Sequence, residues 1–168
     1  EPAEGLLDTI YGKVLLLEMG DAQAAVITLD VCSVPINLVE ETLALAAVPG
    51  LTVGNTLMCA SHSHTGLEGF ALDRRNIANN PNIGIFSEEM LDFAVKRLAG
   101  AVREAAEHMQ PVKVASGAVS LPGMNRNRRG ADCVDDQLTV LRLERLDGRP
   151  LAALVNYTAH GTFVDETD

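Results

Sequence analysis

Leu57-Met58-Cys59-Ala60-Ser61-His62-Ser63-His64-Thr65-Gly66 is the stretch from which the fold is read. An apolar run from Thr56 to Ala60 delivers two histidines, His62 and His64, and breaks at Gly66. In an extended segment, side chains two apart share a face, so both imidazoles would project together from the end of a buried strand. Such strand ends are where α/β sheets place ligands, and imidazole is the commonest metal ligand. Near the other end, Leu151-Ala-Ala-Leu-Val-Asn-Tyr157 reads as a second buried strand, and it too delivers a histidine, His160, followed by Gly161 and Thr162. Of the 4 histidines in the chain, these are the ones that follow apolar strands. Each alone is compatible with an ordinary hydrogen-bonded loop residue. Together they point to a shared metal or catalytic site. The remaining one, His108, ends a helical pattern, where a cation suits the helix dipole.

Composition narrows the function classes. The 168 residues fit one domain with a substantial core. A net charge of −10 argues against nucleic acid or an anionic surface as the main partner. With 4% aromatics and no Trp, the chain is also poorly supplied for stacking bases. Its 3 cysteines leave at least one unpaired and form no CxxC; Cys32 and Cys59, flanked by apolar residues, read as small core residues. Neither a signal peptide nor a membrane-spanning apolar run is visible, which leaves secreted and cytoplasmic locations both open.

Outward from the histidine pair, the pattern gives the remaining elements. Residues 12 to 19 and 24 to 30 are apolar runs separated by Gly20-Asp21, a hairpin signal. Asp30 closes the second run and is either a cap or a group that orients or replaces a metal ligand. From Val34 to Val48, Leu38, Leu43, Leu45 and Val48 recur at helical spacing until Pro49-Gly50. Residues 67 to 85, rich in Asn and Gly, read as a long loop, either a lid or a solvated insertion. Ser87 caps the longest helix, which runs to about Met109 on a stripe of Leu91, Ala94, Val95, Leu98, Ala101 and Val102. Val112 to Leu121 alternates as a strand. The basic cluster Asn125-Arg126-Asn127-Arg128-Arg129 follows and is either an anion-binding loop or a solvated one. Residues 137 to 146 and 151 to 157 flank Asp147-Gly148, a second hairpin signal. The expected fold is α/β, a mixed β-sheet flanked by helices with two β-hairpins. No GxxxxGK[ST], GxGxxG or GxSxG occurs, which removes the best supports of nucleotide-binding and serine-hydrolase readings.

Ala60-Ser-His-Ser-His-Thr-Gly66, then Asn125-Arg126 after a strand with Ser116-Gly117, then Val155-Asn-Tyr-Thr-Ala-His-Gly-Thr162 resemble, in that order, the neutral/alkaline non-lysosomal ceramidase family. The resemblance runs from near Tyr11 to Thr162. It implies a zinc-dependent amidase that cleaves an N-acyl amide bond, with a small-molecule or lipid substrate of the sphingolipid class and transient membrane contact. It also implies His62 and His160 as zinc ligands, with His64 beside the metal and Arg126 lining the site. Where the family has Gly-Pro-Gly-Gly, this chain has Gly66-Leu-Glu-Gly69, which marks a divergent member. The family's remaining ligands, a Glu and a Tyr, and its serine for amide cleavage lie beyond Thr162.

The expectation is therefore an N-terminal portion of a ceramidase-like catalytic domain with an incomplete site. With only two assured ligands its metal binding would be weak, micromolar or poorer, and Asp30 is the candidate substitute. A non-catalytic binding domain on the same scaffold is the alternative, and a metal phosphoesterase using the arginines is a third reading.

Overall fold

The computed structural model describes residues 5, 8–64, 66–76, 80–81 and 84–161. The chain forms two compact units, divided between Met109 and Gln110.

The first unit is a small α/β layer. Its strands β1 (Gly12–Met19), β2 (Ala22–Leu29) and β3 (Thr56–Ala60) lie in the order β1-β2-β3. β1 and β2 pair antiparallel around the expected Gly20-Asp21 turn, where Gly20 takes the left-handed φ of 61° that glycine adopts without strain. β2 and β3 pair parallel, with Leu29 opposite Ala60. A parallel neighbour needs a crossover, and α1 (Ile36–Ala46) lies within it. On β2 the alternate residues Ala25, Ile27 and Leu29 are buried, which turns one face of the strand to the helices.

The helix α2 (Glu88–Glu107) starts where its sequence says it should. Ser87 Oγ accepts the Met90 amide at 3.3 Å, and Glu88 and Glu89 occupy the first turn. Leu91, Val95, Leu98, Ala99 and Val102 form its buried stripe and join Ile27, Leu29, Val31, Leu38, Ala46 and Leu72 in one core. At the other end, His108 caps the helix and its Nδ1 donates to the Glu104 carbonyl at 2.7 Å. On α1 the expected stripe needs one correction. The buried face runs through Leu38, Val39, Thr42 and Ala46, so Leu45, at the margin of that arc near the helix end, is left 46% exposed.

The long stretch after the histidines is a packed segment over its described part. Gly69–Leu72 forms a 3-10 turn that drives Leu72 into the core. A Cβ at Gly69 would collide with the Ser33 carbonyl, so this close approach requires glycine. Asn37, buried on α1, donates from Nδ2 to the Leu72 carbonyl at 2.9 Å. Arg74 then clamps the segment to both helices. Its guanidinium donates to Glu41 of α1 at 2.6 Å and to both carboxylate oxygens of Glu88 of α2 at 2.7 Å, and it lies 5.8 Å from the Phe86 ring centroid.

The second unit is an antiparallel sheet of β4 (Val112–Ser120), β5 (Gln137–Arg145) and β6 (Pro150–Tyr157), in that order. The β5–β6 turn is the expected hairpin, with Gly148 at a φ of 89°.

Candidate metal centre

The parallel pairing of β2 and β3 brings their C-terminal ends side by side. Beyond the last register pair, Ser61 N–H still donates to the Leu29 carbonyl at 2.8 Å, which carries the ladder one step further. At β2's end the chain is held from the other side. Asp30 N–H donates to the Tyr11 carbonyl at 3.0 Å, and Asp30 Oδ2 accepts the Tyr11 amide at 2.9 Å. After the histidines the chain returns to this edge. Leu67 bridges Val31 in parallel sense, and its carbonyl accepts the Cys32 amide at 3.3 Å. Gly66 sits so close beneath that a Cβ would lie 3.1 Å from the Asp30 carbonyl oxygen. The arch that carries the histidines thus has both its feet, Ser61 and Gly66–Leu67, on the strand ends beside Cys32.

The two histidines come together as expected, by a different route. His62 has a φ of +61°, left-handed, so the segment is turned at this residue instead of extended. The rings meet edge to face, centroids 4.7 Å apart and planes at 76°. For a non-glycine residue the left-handed region costs on the order of 1–2 kcal/mol, and strain of this kind clusters at functional sites. His62 Nδ1 lies 2.7 Å from the Cys32 carbonyl oxygen. A carbonyl only accepts, so Nδ1 carries the proton and the lone pair of the neutral ring belongs to Nε2. Backbone orientation of the second ring nitrogen is the arrangement that metal-binding histidines use.

Cys32 is the residue that sequence reasoning missed as part of the site. It is buried at 8% exposure, as a small core residue would be. Its sulfur, however, lies 3.7 Å from His62 Nδ1 and 4.0 Å from His64 Nδ1. One ligand atom each from Cys32, His62 and His64 lie within 4.8 Å of one another. Two imidazoles and a thiol are a donor set compatible with a metal ion. Burial pushes the Cys32 thiol pKa up, and the Glu68 carboxylate beside it pushes in the same direction. The signal that could have found Cys32 is its place just past Asp30, three residues beyond Leu29, the residue paired with Ala60. Only the β2–β3 pairing makes the two ends neighbours. Asp30, the expected substitute ligand, is engaged by the Tyr11 amide and is not in the group.

The second unit holds the other elements of the sequence reading. His160 follows β6, is exposed, and its Nδ1 donates to the Gly161 carbonyl at 2.9 Å. Thr162 lies outside the described residues. Arg126 is exposed on the loop after β4, as are Arg128 and Arg129. The half-buried Asn125 organises this loop. Its Nδ2 donates to the carbonyls of Asp135, at 2.8 Å, and Thr158, at 2.7 Å. Thr158 Oγ1 in turn donates to Asp135 Oδ2 at 3.2 Å. The Asn-Arg element and the segment that leads into His160, far apart in sequence, are therefore tied together within one unit.

Among the described residues no helix is long and apolar enough to cross a membrane. No family profile matches the chain. Neutral ceramidase B of Dictyostelium discoideum is 24% identical over 164 residues, an alignment that covers 87% of this chain and 22% of that protein. The crystal structure of neutral ceramidase from Pseudomonas aeruginosa superposes with a TM-score of 0.68 at 21% identity, over 80% of this chain and 23% of that one. A ceramidase complexed with C2 gives a TM-score of 0.68 at 21% identity, over 83% of this chain and 24% of that one. The chain spans less than a quarter of the length of these relatives. In sequence and in fold, the chain is thus a divergent, neutral-ceramidase-like stretch.

Proposed function

We propose that the protein is a metal-dependent hydrolase of an N-acyl amide bond of the sphingolipid kind, with zinc held by His62 and His160. The observation that carries this reading is the arch that sets His62 and His64 over Cys32 at the joined ends of β2 and β3. Bound zinc supplies Lewis acidity, which polarises an amide carbonyl and acidifies water. His62 is oriented for its part by the Cys32 carbonyl, which leaves Nε2 as the ligand atom.

His64 is assigned the proton work. A neutral imidazole can take a proton from attacking water and return it to the leaving amine. Arg126 is assigned to the negative charge that develops on the amide oxygen, which its planar fork suits better than a point charge. Asn125 holds the loop of Arg126 against the segment before His160, so that the two elements share a frame. A lipid amide substrate also entails transient contact with a membrane surface.

The test is release of free fatty acid from N-acylsphingosine in mixed micelles, by the protein expressed from its complete reading frame. Release should stop on chelation, return with zinc and be absent in His62→Ala. Binding of the lipid without cleavage would contradict the hydrolase and leave a ligand-binding domain.

A further inference from the structure

We infer that Cys32 is itself a metal ligand, so that the centre at His62 contains a thiolate. The inference rests on the metal part of the function proposed above and adds to it a donor that neither the histidine motif nor the ceramidase resemblance supplies. A cysteine that serves only as core filler is surrounded by apolar groups. The Cys32 sulfur instead lies 3.7 Å from His62 Nδ1 and 4.0 Å from His64 Nδ1, and one ligand atom from each of the three residues lies within 4.8 Å of the others. Its backbone is engaged in the same site. The Cys32 carbonyl fixes the His62 ring, and the Cys32 amide is held by Leu67, the returning foot of the arch. One residue thus orients His62 and places a soft donor next to it.

Mixed Cys/His sets are among the known zinc sites, and one donor atom each of Cys32, His62 and His64 lies within 4.8 Å of the others. Cys32 and His62 are the two ligands that the first unit supplies, and His64 keeps its place beside the metal. When the metal–sulfur bond forms, the S–H bond breaks and its proton leaves to solvent. A sulfur donor also sets the class of ion. Thiolate favours zinc, cobalt and other borderline-soft ions over magnesium, calcium and manganese. The added thiolate should raise affinity above the weak binding that histidines alone imply.

Cobalt(II) reports sulfur directly, because thiolate bound to cobalt absorbs by charge transfer in the near ultraviolet. The 168-residue chain is titrated with cobalt chloride alone, followed by zinc chloride. The absorption should rise to one equivalent and be bleached by zinc. It should persist in the Cys59→Ser/Cys133→Ser double variant, in which Cys32 is the sole thiol, and in His160→Ala, which weakens binding without removing sulfur. Cys32→Ser should lose the absorption and bind cobalt more weakly by at least the roughly 10–100-fold that loss of an outer-shell partner costs. The double variant leaves Cys32 untouched, so the test stands even if Cys32→Ser folds poorly. Cobalt bound without charge transfer, and lost in His62→Ala, would overturn the thiolate and leave the histidine centre standing. No binding of cobalt or zinc by the wild-type chain would overturn both.

Discussion

At the scale of single residues, His62 carries the strongest constraint. Its φ of +61° is a conformation that glycine accepts and a histidine does not readily adopt. The 2.7 Å hydrogen bond from its ring to the Cys32 carbonyl offsets part of that cost. Alanine at this position would lose the ring and keep the strain, whereas glycine would lose both. His62→Gly should therefore be more stable than His62→Ala by about 1 kcal/mol, the left-handed penalty less the extra backbone entropy of glycine. Urea unfolding of the two variants measures this, and zinc binding should be lost in both. Equal stabilities would mean that the arch relaxes to an ordinary backbone conformation once the ring is gone. The pair itself was legible in the sequence, because two histidines next to an apolar run need only local order to be noticed. Cys32 was not, since nothing in Asp30-Val31-Cys32 tells which strand lies beside it.

At the scale of elements, hydrophobic period and turn chemistry located the six strands and two α-helices of the described residues to within a few residues. They did not give strand partners. Period two states that β2 has a buried face, but not that β3 lies parallel to it, and that pairing brings Cys32 to the histidines. Likewise, residues 67 to 85 have the composition of a loop, yet Leu72 and Arg74 fasten the described part to the helices. This clamp has a pH signature. Hydrogen bonding from Arg74 is the main cause that holds the Glu41 carboxyl below its ordinary range, against the opposing pull of burial. A carboxyl depressed in the folded state contributes stability above its unfolded pKa, about 4.3. That contribution is lost as pH falls through the lower folded value. Thermal melts should therefore show wild type losing more stability than Glu41→Gln as pH is lowered below about 4.3. Parallel losses in the two proteins would remove Glu41 from the clamp's acid response. Above that window the charged pair should make wild type the more stable protein, by the modest amount typical of part-exposed ion pairs.

At the scale of the whole molecule, the acidic chain carries one basic cluster, and its arginines are not expected to be equivalent. Arg126 adjoins Asn125, whose hydrogen bonds reach both Asp135 and Thr158. If Arg126 acts on charge that develops in the transition state, Arg126→Ala should lower kcat more than it raises KM. The loss should be on the order of 10²–10³, as for removal of an oxyanion donor. Lys should rescue it only in part, and Arg128→Ala and Arg129→Ala should stay close to wild type. Small, equal losses at all three would make the cluster a solvated loop. The ceramidase-like character was readable from the order of three short motifs, and the sequence and fold similarities agree with it. The most direct test of the metal centre is zinc-edge X-ray absorption of the zinc-loaded protein. The account predicts imidazole scattering with zinc–nitrogen distances of about 2.0–2.1 Å, weakened or lost in His62→Ala. A spectrum without imidazole scattering, unchanged in His62→Ala, would contradict it.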